Sequence, residues 1–250
     1  MDINTIEHDQ LIYVYSSNLS GVNSVGAAGI AKRFFGAVDG IGEGMTGENC
    51  YALPTKDERV RARTLDEVCA SLDTFLQYAK ESPSKQFMLT RIGSDLTNFS
   101  SEALLGHIGQ CAIPGNVHLP GLWLQALGRL THYRVIVAGG REFTNVDMME
   151  YRLDKLFANL DKQVTIIDGT ARGADAAGYE CAHRLAAVDS ITRFPANWNR
   201  FDKPAGFLRN AAMAWHSTHA VIFWDGISGG SKDMIKSAEA DKLTVRVCRY

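Results

Sequence analysis

From residue 133 onward, short β-branched runs alternate with helical stretches of about 12–15 residues, and this rhythm constrains the fold more than any other feature. RVIVAG (134–139), QVTIID (163–168), SITRF (190–194), HAVIFWD (219–225) and LTVRV (243–247) read as strands. Between the first two, Met148, Met149, Leu153, Leu156, Phe157 and Leu160 recur at helical spacing; Ala176, Ala177, Tyr179, Ala182 and Leu185 do so after the second. Two more helices are expected across 205–217 and 231–241. Right-handed β-α-β crossovers then predict a parallel sheet with helices on both faces.

The first half mixes the same element types less regularly. LIYVYSS (11–17), CYALPT (50–55) and QFMLTR (86–91) read as strands, and Val25–Phe35 and Leu65–Lys80 as helices. Thr64 and Glu67 have the spacing of a capping box at the start of the second helix. The charged stretch from Ala52 to Thr64, carrying Pro54, reads as a surface loop. A packed helix around 121–133 marks the best boundary, so the chain is expected to form two α/β domains, 1–125 and 126–250.

The chain has 250 residues with 26 Lys and Arg against 28 Asp and Glu, so no global basic field favours nucleic acid as an obligate partner. The N-terminus has no secretory pattern and no apolar run reaches membrane-spanning length, so a cytoplasmic location is expected. Five cysteines lack CxxC pairs, which argues against structural disulfides; Cys181 and His183 alone do not make a ligand set, so no metal site and no cofactor is expected.

In parallel α/β sheets, ligands gather at the carboxyl ends of the strands. There the chain reads Asp168-Gly169-Thr170-Ala171-Arg172-Gly173-Ala174-Asp175. Gly169 and Gly173 allow a sharp turn, the following helix aims free N–H groups at the crevice, and Arg172 suits phosphate. Asp175 is placed to cap the helix or hold Arg172. Taken alone, the turn is equally well explained as strand-to-helix punctuation. Matching features stand at other strand ends: Gly139-Gly140-Arg141, Arg209-Asn210, and Gly229-Gly230-Ser231-Lys232. Two glycine turns facing one crevice suit a nucleotide.

VIVAGGREFT, DGTARGADAAGYECAH, RFPANWNRFDKPAGFLRNAAM and AVIFWDGISGGSKDMI together resemble the YspA-type branch of the SLOG superfamily over about 134–250. That superfamily is Rossmann-like and includes the lonely-guy phosphoribohydrolases and DNA-processing protein A. The resemblance implies binding of nucleotides or nucleotide-derived signals, and a homo-oligomer. Arg209 with Met213 matches the lonely-guy arginine motif, but GISGGSKD offers only Asp233 near the position of that family's catalytic glutamate. Ligand binding without base cleavage is therefore expected, with Asp233 as a candidate acid–base group if cleavage occurs.

In the first half, YSSNLSGVNSVGAA, YALPTKD and TRIGSDL are similar to macro domains, more narrowly to a macro-like family of bacteria and phages. The resemblance implies that Asn18 contacts ribose, that Gly26 and Ala27 border it, and that Thr90, Gly93 and Ser94 hold phosphate, with Asp95 a further acid–base candidate. Residues 2–5 faintly echo that family's opening strand. Close packing of a small-residue helix explains the same residues without a ligand. Together the two resemblances imply a small nucleotide-derived partner of the ADP-ribose type, bound, sequestered or processed, possessing a role in phage interference with host nucleotide signalling. A lonely-guy-like hydrolase and a single-strand DNA binder are the competing expectations; for Trp198 and Trp224, core or crevice packing is expected rather than base stacking.

Overall fold

The computed structural model describes residues 1–92 and 99–250, and its contacts divide them into two compact units: Met1–His8 with Gly128–Tyr250, and Asp9–Leu127. The chain begins with strand β1 (Asp2–Thr5) and then enters the second of these units.

That unit carries β2 (Ile12–Asn18), α1 (Gly26–Ile30), β3 (Gly44–Thr46), β4 (Cys50–Lys56), α2 (Leu65–Glu81), β5 (Phe87–Leu89), α3 (Ser101–Gln110), β6 (Val117–His118) and α4 (Gly121–Ala126). Its sheet runs β3-β4-β2-β5-β6, parallel except where β3 pairs antiparallel with β4, so the sheet is mixed. Val68, Leu72, Phe75, Leu76 and Ala79 form the buried face of α2, with Phe75 edge-on to Phe87 at 5.4 Å between ring centres. Thr64 and Glu67 close the expected capping box, each accepting the other's backbone N–H. The helix expected over 25–35 is two pieces: α1 passes into a π-helical turn, Ala31–Phe35, which Gly36 ends at φ +82°. Residues 52–55, expected both within a strand and at the start of a surface loop, belong to β4 and are buried; Pro54 gives no N–H, and the pairing with β2 shifts register beside it.

The other unit alternates β7 (Tyr133–Gly139), α5 (Val146–Phe157), β8 (Val164–Asp168), α6 (Ala174–Ala182), β9 (Val188–Arg193), α7 (Trp198–Phe201), α8 (Ala205–His216), β10 (His219–Trp224), α9 (Gly229–Ala240) and β11 (Thr244–Arg249). Every pairing in its sheet is parallel, in the order β1-β9-β8-β7-β10-β11. The fold is thus α/β with a Rossmann-like parallel sheet, as the strand rhythm predicts. β1 corrects the sequence reading: residues 2–5 pair with Ser190–Arg193 at the edge of this sheet rather than opening the other unit. A four-residue strand has no local signal for a partner more than 180 positions away.

Because β8 and β9 extend the sheet on one side of β7 and β10 and β11 on the other, strand order reverses between β7 and β10. A crevice outside the carboxyl ends of those two strands follows from that reversal.

Candidate functional site

A cavity of about 490 Å³ lies at this switch point. The end of β7 supplies Ala138, Gly139 and Arg141; α8 supplies Gly206, Phe207, Arg209 and Asn210; the turn into α9 supplies Asp225, Ser228, Gly229, Gly230 and Ser231. Ala171, Asp175, Trp198 and Lys203 complete much of the wall. Of the sequence-expected residues, Gly139, Arg141, Asp175, Arg209, Asn210, Gly229, Gly230 and Ser231 therefore come together here.

The glycine turn is built differently from its expectation. Gly173 stands at φ +79°, and a Cβ there would lie 2.4 Å from the Gly140 carbonyl oxygen. Its role is close packing of two turns, since Ala174 N–H donates to Gly140 O at 3.1 Å. The carboxylate of Asp175, 4% exposed, accepts backbone hydrogen bonds from Ala171 and Gly139. The Asp175 carboxylate thus ties the turn before α6 to the end of β7, while α6 itself starts without a side-chain cap. Burial pushes the Asp175 carboxyl up to about 6, opposed by Arg209 and aided by Asp168.

Arg209 is the cation beneath this turn. Its Nη1 donates to Gly169 O and lies 3.8 Å from Asp175 Oδ1, and burial lowers its pKa. A Cβ on Gly169 would require the Arg209 guanidinium and the Asp175 carboxylate to shift. Asp168 is buried, accepting from Thr170 N at 2.9 Å and from Arg193 Nε at 3.1 Å; Thr170 itself is exposed at φ +58°. Arg172 points to the surface, where it pairs with Glu142; with side chains 72% and 82% exposed, that pair contributes little. Gly140, Asp168, Gly169, Thr170, Arg172 and Gly173 shape or support the turn and are not among the cavity's described lining.

The open helix start belongs to α9. Gly229 and Gly230 are exposed, and among the described residues no atom beyond their chain neighbours and the helix's own backbone lies within 4 Å of an ideal Cβ on either. Ser228 caps the helix, with Ser231 N–H approaching its Oγ at 3.5 Å and Ser231 Oγ at 3.2 Å. Asp225 folds the preceding turn by accepting from Ile227 N and Ser228 N at 2.9 and 2.8 Å, which holds its pKa low. The α9 start presents N–H groups and a positive helix end to a cavity whose wall also carries the cations Arg141 and Lys203 and the carboxylates Glu142 and Asp225. Lys232 is exposed outside the lining; Asp233 is half-buried there, accepts from Asn210 Nδ2 at 2.8 Å, and is raised in pKa chiefly by burial.

Sequence reasoning assigns Trp198 to core or crevice packing and does not single out Phe207. Trp198 and Phe207 line the cavity while 50% and 54% exposed, and Gly206 lies close under the Trp198 ring. Two large apolar side chains left in water beside a cationic helix start were the available signal, but whether a ring is packed depends on the tertiary neighbours. Trp224, by contrast, donates to Ser228 O at 3.1 Å and lies under the Arg249 guanidinium at 4.1 Å.

In the unit of residues 9–127, Asn18 organises its own loop. Its Oδ1 accepts from Ser20 Oγ and Val22 N, and its Nδ2 donates to Val22 O. Thr90 Oγ1 donates to Val14 O at 2.7 Å. Gly26, exposed at φ +60°, opens α1, and Ala27 follows half-buried. Gly93, Ser94 and Asp95 lie outside the described residues.

Residues 133–201, from β7 through α7, match the profile of the YspA, cpYpsA-related SLOG family. Comparison with curated proteins gives no match. The matched segment carries the β7 and β8 turns, and at a general level it associates this unit with nucleotide-related ligands.

Proposed function

We propose that the unit containing residues 128–250 binds a nucleotide-derived ligand in the β7/β10 crevice. Phosphate sits over the N–H groups of Gly229 and Gly230 beside Arg141, and the base stacks on Trp198 or Phe207. The observation that carries this reading is one cavity holding both an unobstructed, capped helix start and half-exposed aromatic rings. An anion is stabilised at the first and a flat apolar ring at the second. The volume falls within the range of about 300–1,000 Å³ usual for small-ligand sites. The ligand class we favour is NAD-derived, of the ADP-ribose type, held or sequestered rather than cleaved. The macro-like motifs of the other unit support that choice, as does the absence of a glutamate at the lonely-guy position. A role in phage interference with host nucleotide signalling rests on the same resemblances.

One observation favours a second reading, lonely-guy-like hydrolysis. Asp233 is raised in pKa and bonded to Asn210, a lining residue, as an acid–base group would be.

Titration calorimetry of the full chain with AMP, ADP-ribose, NAD and a short single-stranded oligonucleotide, followed by analysis of the recovered ligand, tests both. The first reading expects saturable binding of a mononucleotide or ADP-ribose, recovered intact, and at least about tenfold weaker in Arg141→Ala. Release of free base, lost in Asp233→Asn, establishes the second. Binding of the oligonucleotide alone overturns both.

A further inference from the structure

We propose that Asp73, His107 and Cys111 form a binding site for a zinc-class divalent ion on the unit of residues 9–127. The proposal is independent of the nucleotide crevice. Asp73 stands on α2, while His107 and Cys111 are four residues apart at the end of α3, a spacing that brings two side chains to one helix face. His107 Nε2 lies 2.8 Å from Asp73 Oδ1, and Cys111 Sγ lies 3.7 Å from the same oxygen. One donor atom from each residue falls within 4.8 Å of both others. Tetrahedral zinc bonds of about 2.0 Å to nitrogen and oxygen and 2.3 Å to sulfur require donor separations of roughly 3.3–3.6 Å. The three side chains therefore need rotamer-scale adjustments, not movement of the helices.

The donor set also selects the ion. A thiolate, an imidazole and a carboxylate suit zinc and its neighbours in the transition series, whereas magnesium and calcium prefer oxygen alone. The Asp73 side chain is 54% exposed and that of His107 30%, so an ion can enter from solvent with a water as fourth ligand. On binding, the Cys111 thiol gives its proton to solvent as the sulfur–metal bond forms, and the ion replaces the hydrogen bond between His107 and Asp73. The ion then ties α2 to α3 across more than thirty residues of chain, a closure that favours the folded state.

Cobalt titration of the metal-stripped full chain tests the site. The expected result is one equivalent of Co²⁺ giving an intense tetrahedral visible spectrum and a thiolate charge-transfer band, both displaced by Zn²⁺. Cys111→Ser abolishes the charge-transfer band, and His107→Ala keeps it while weakening binding at least about tenfold. On the unaltered chain, Zn²⁺ calorimetry in two buffers near pH 7 should show about one proton released per ion. A weak octahedral spectrum, a charge-transfer band that survives in Cys111→Ser, or zinc binding without proton release would each overturn the proposal.

Discussion

A methyl group at Gly173 would meet the Gly140 carbonyl oxygen at 2.4 Å on a backbone at φ +79°. Gly173→Ala should therefore lower the stability of its unit by about 2 kcal/mol or more, read from the urea midpoint at constant m. Gly230 is the opposite case. It lies in the first turn of a twelve-residue helix with open space around its Cβ position, so Gly230→Ala should leave stability unchanged or raise it by about 0.5 kcal/mol. The added methyl would nonetheless stand in the cavity and weaken nucleotide binding. A change in calorimetric affinity without a loss in urea midpoint is the expected pair of results. Asp175 makes a separate prediction. Its carboxyl rises from 3.8 to about 6 on folding, so the native state holds its proton more tightly than the unfolded chain. Its contribution is fully present below about pH 4 and is lost as pH climbs to 6, an order-of-magnitude cost of about 3 kcal/mol. Unfolding of wild type and Asp175→Asn between pH 4 and 7 should show the wild type losing ground over that interval; parallel curves would refute it.

Elements were legible where local pattern decides them. The strands β7 to β11 lie within about two residues of their β-branched runs, and the α2 capping box closes as its spacing indicates. Thr64→Ala should cost about 1 kcal/mol, measured by chemical unfolding, because an orphan N–H at the start of α2 loses its acceptor. What the sequence did not reveal depends on tertiary partners. The GTARGAD turn reads as an anion seat, yet Asp175 accepts from Ala171 N–H and Gly140 from Ala174 N–H, whereas the Gly229–Gly230 helix start has open space beside it. Helix dipoles are visible in a sequence, but which end is already satisfied is not. Asn18 is similar: read as a ribose contact, its amide is engaged with Ser20 and Val22. β1 was missed because its partner lies at the far end of the chain.

At the scale of the whole molecule, the chain consists of two α/β units, and the parallel one places its cavity where strand order reverses. That position was inferable from the β-α rhythm alone, because a doubly wound sheet has few crevices. The chemistry of the wall was only half inferable: Arg141, Arg209 and the α9 turn were singled out and Trp198 reads as a packing ring, while Lys203 and Phe207 were not singled out. The central claim is that phosphate sits on α9 and that the GTARGAD turn is a scaffold. A crystal structure of the full chain with AMP or ADP-ribose tests it most directly. The account predicts phosphate density over the N–H groups of Gly229 and Gly230, with Arg141 in contact and the adenine against Trp198 or Phe207. Phosphate bound instead on Gly169–Gly173, displacing the Asp175 carboxylate, would contradict it.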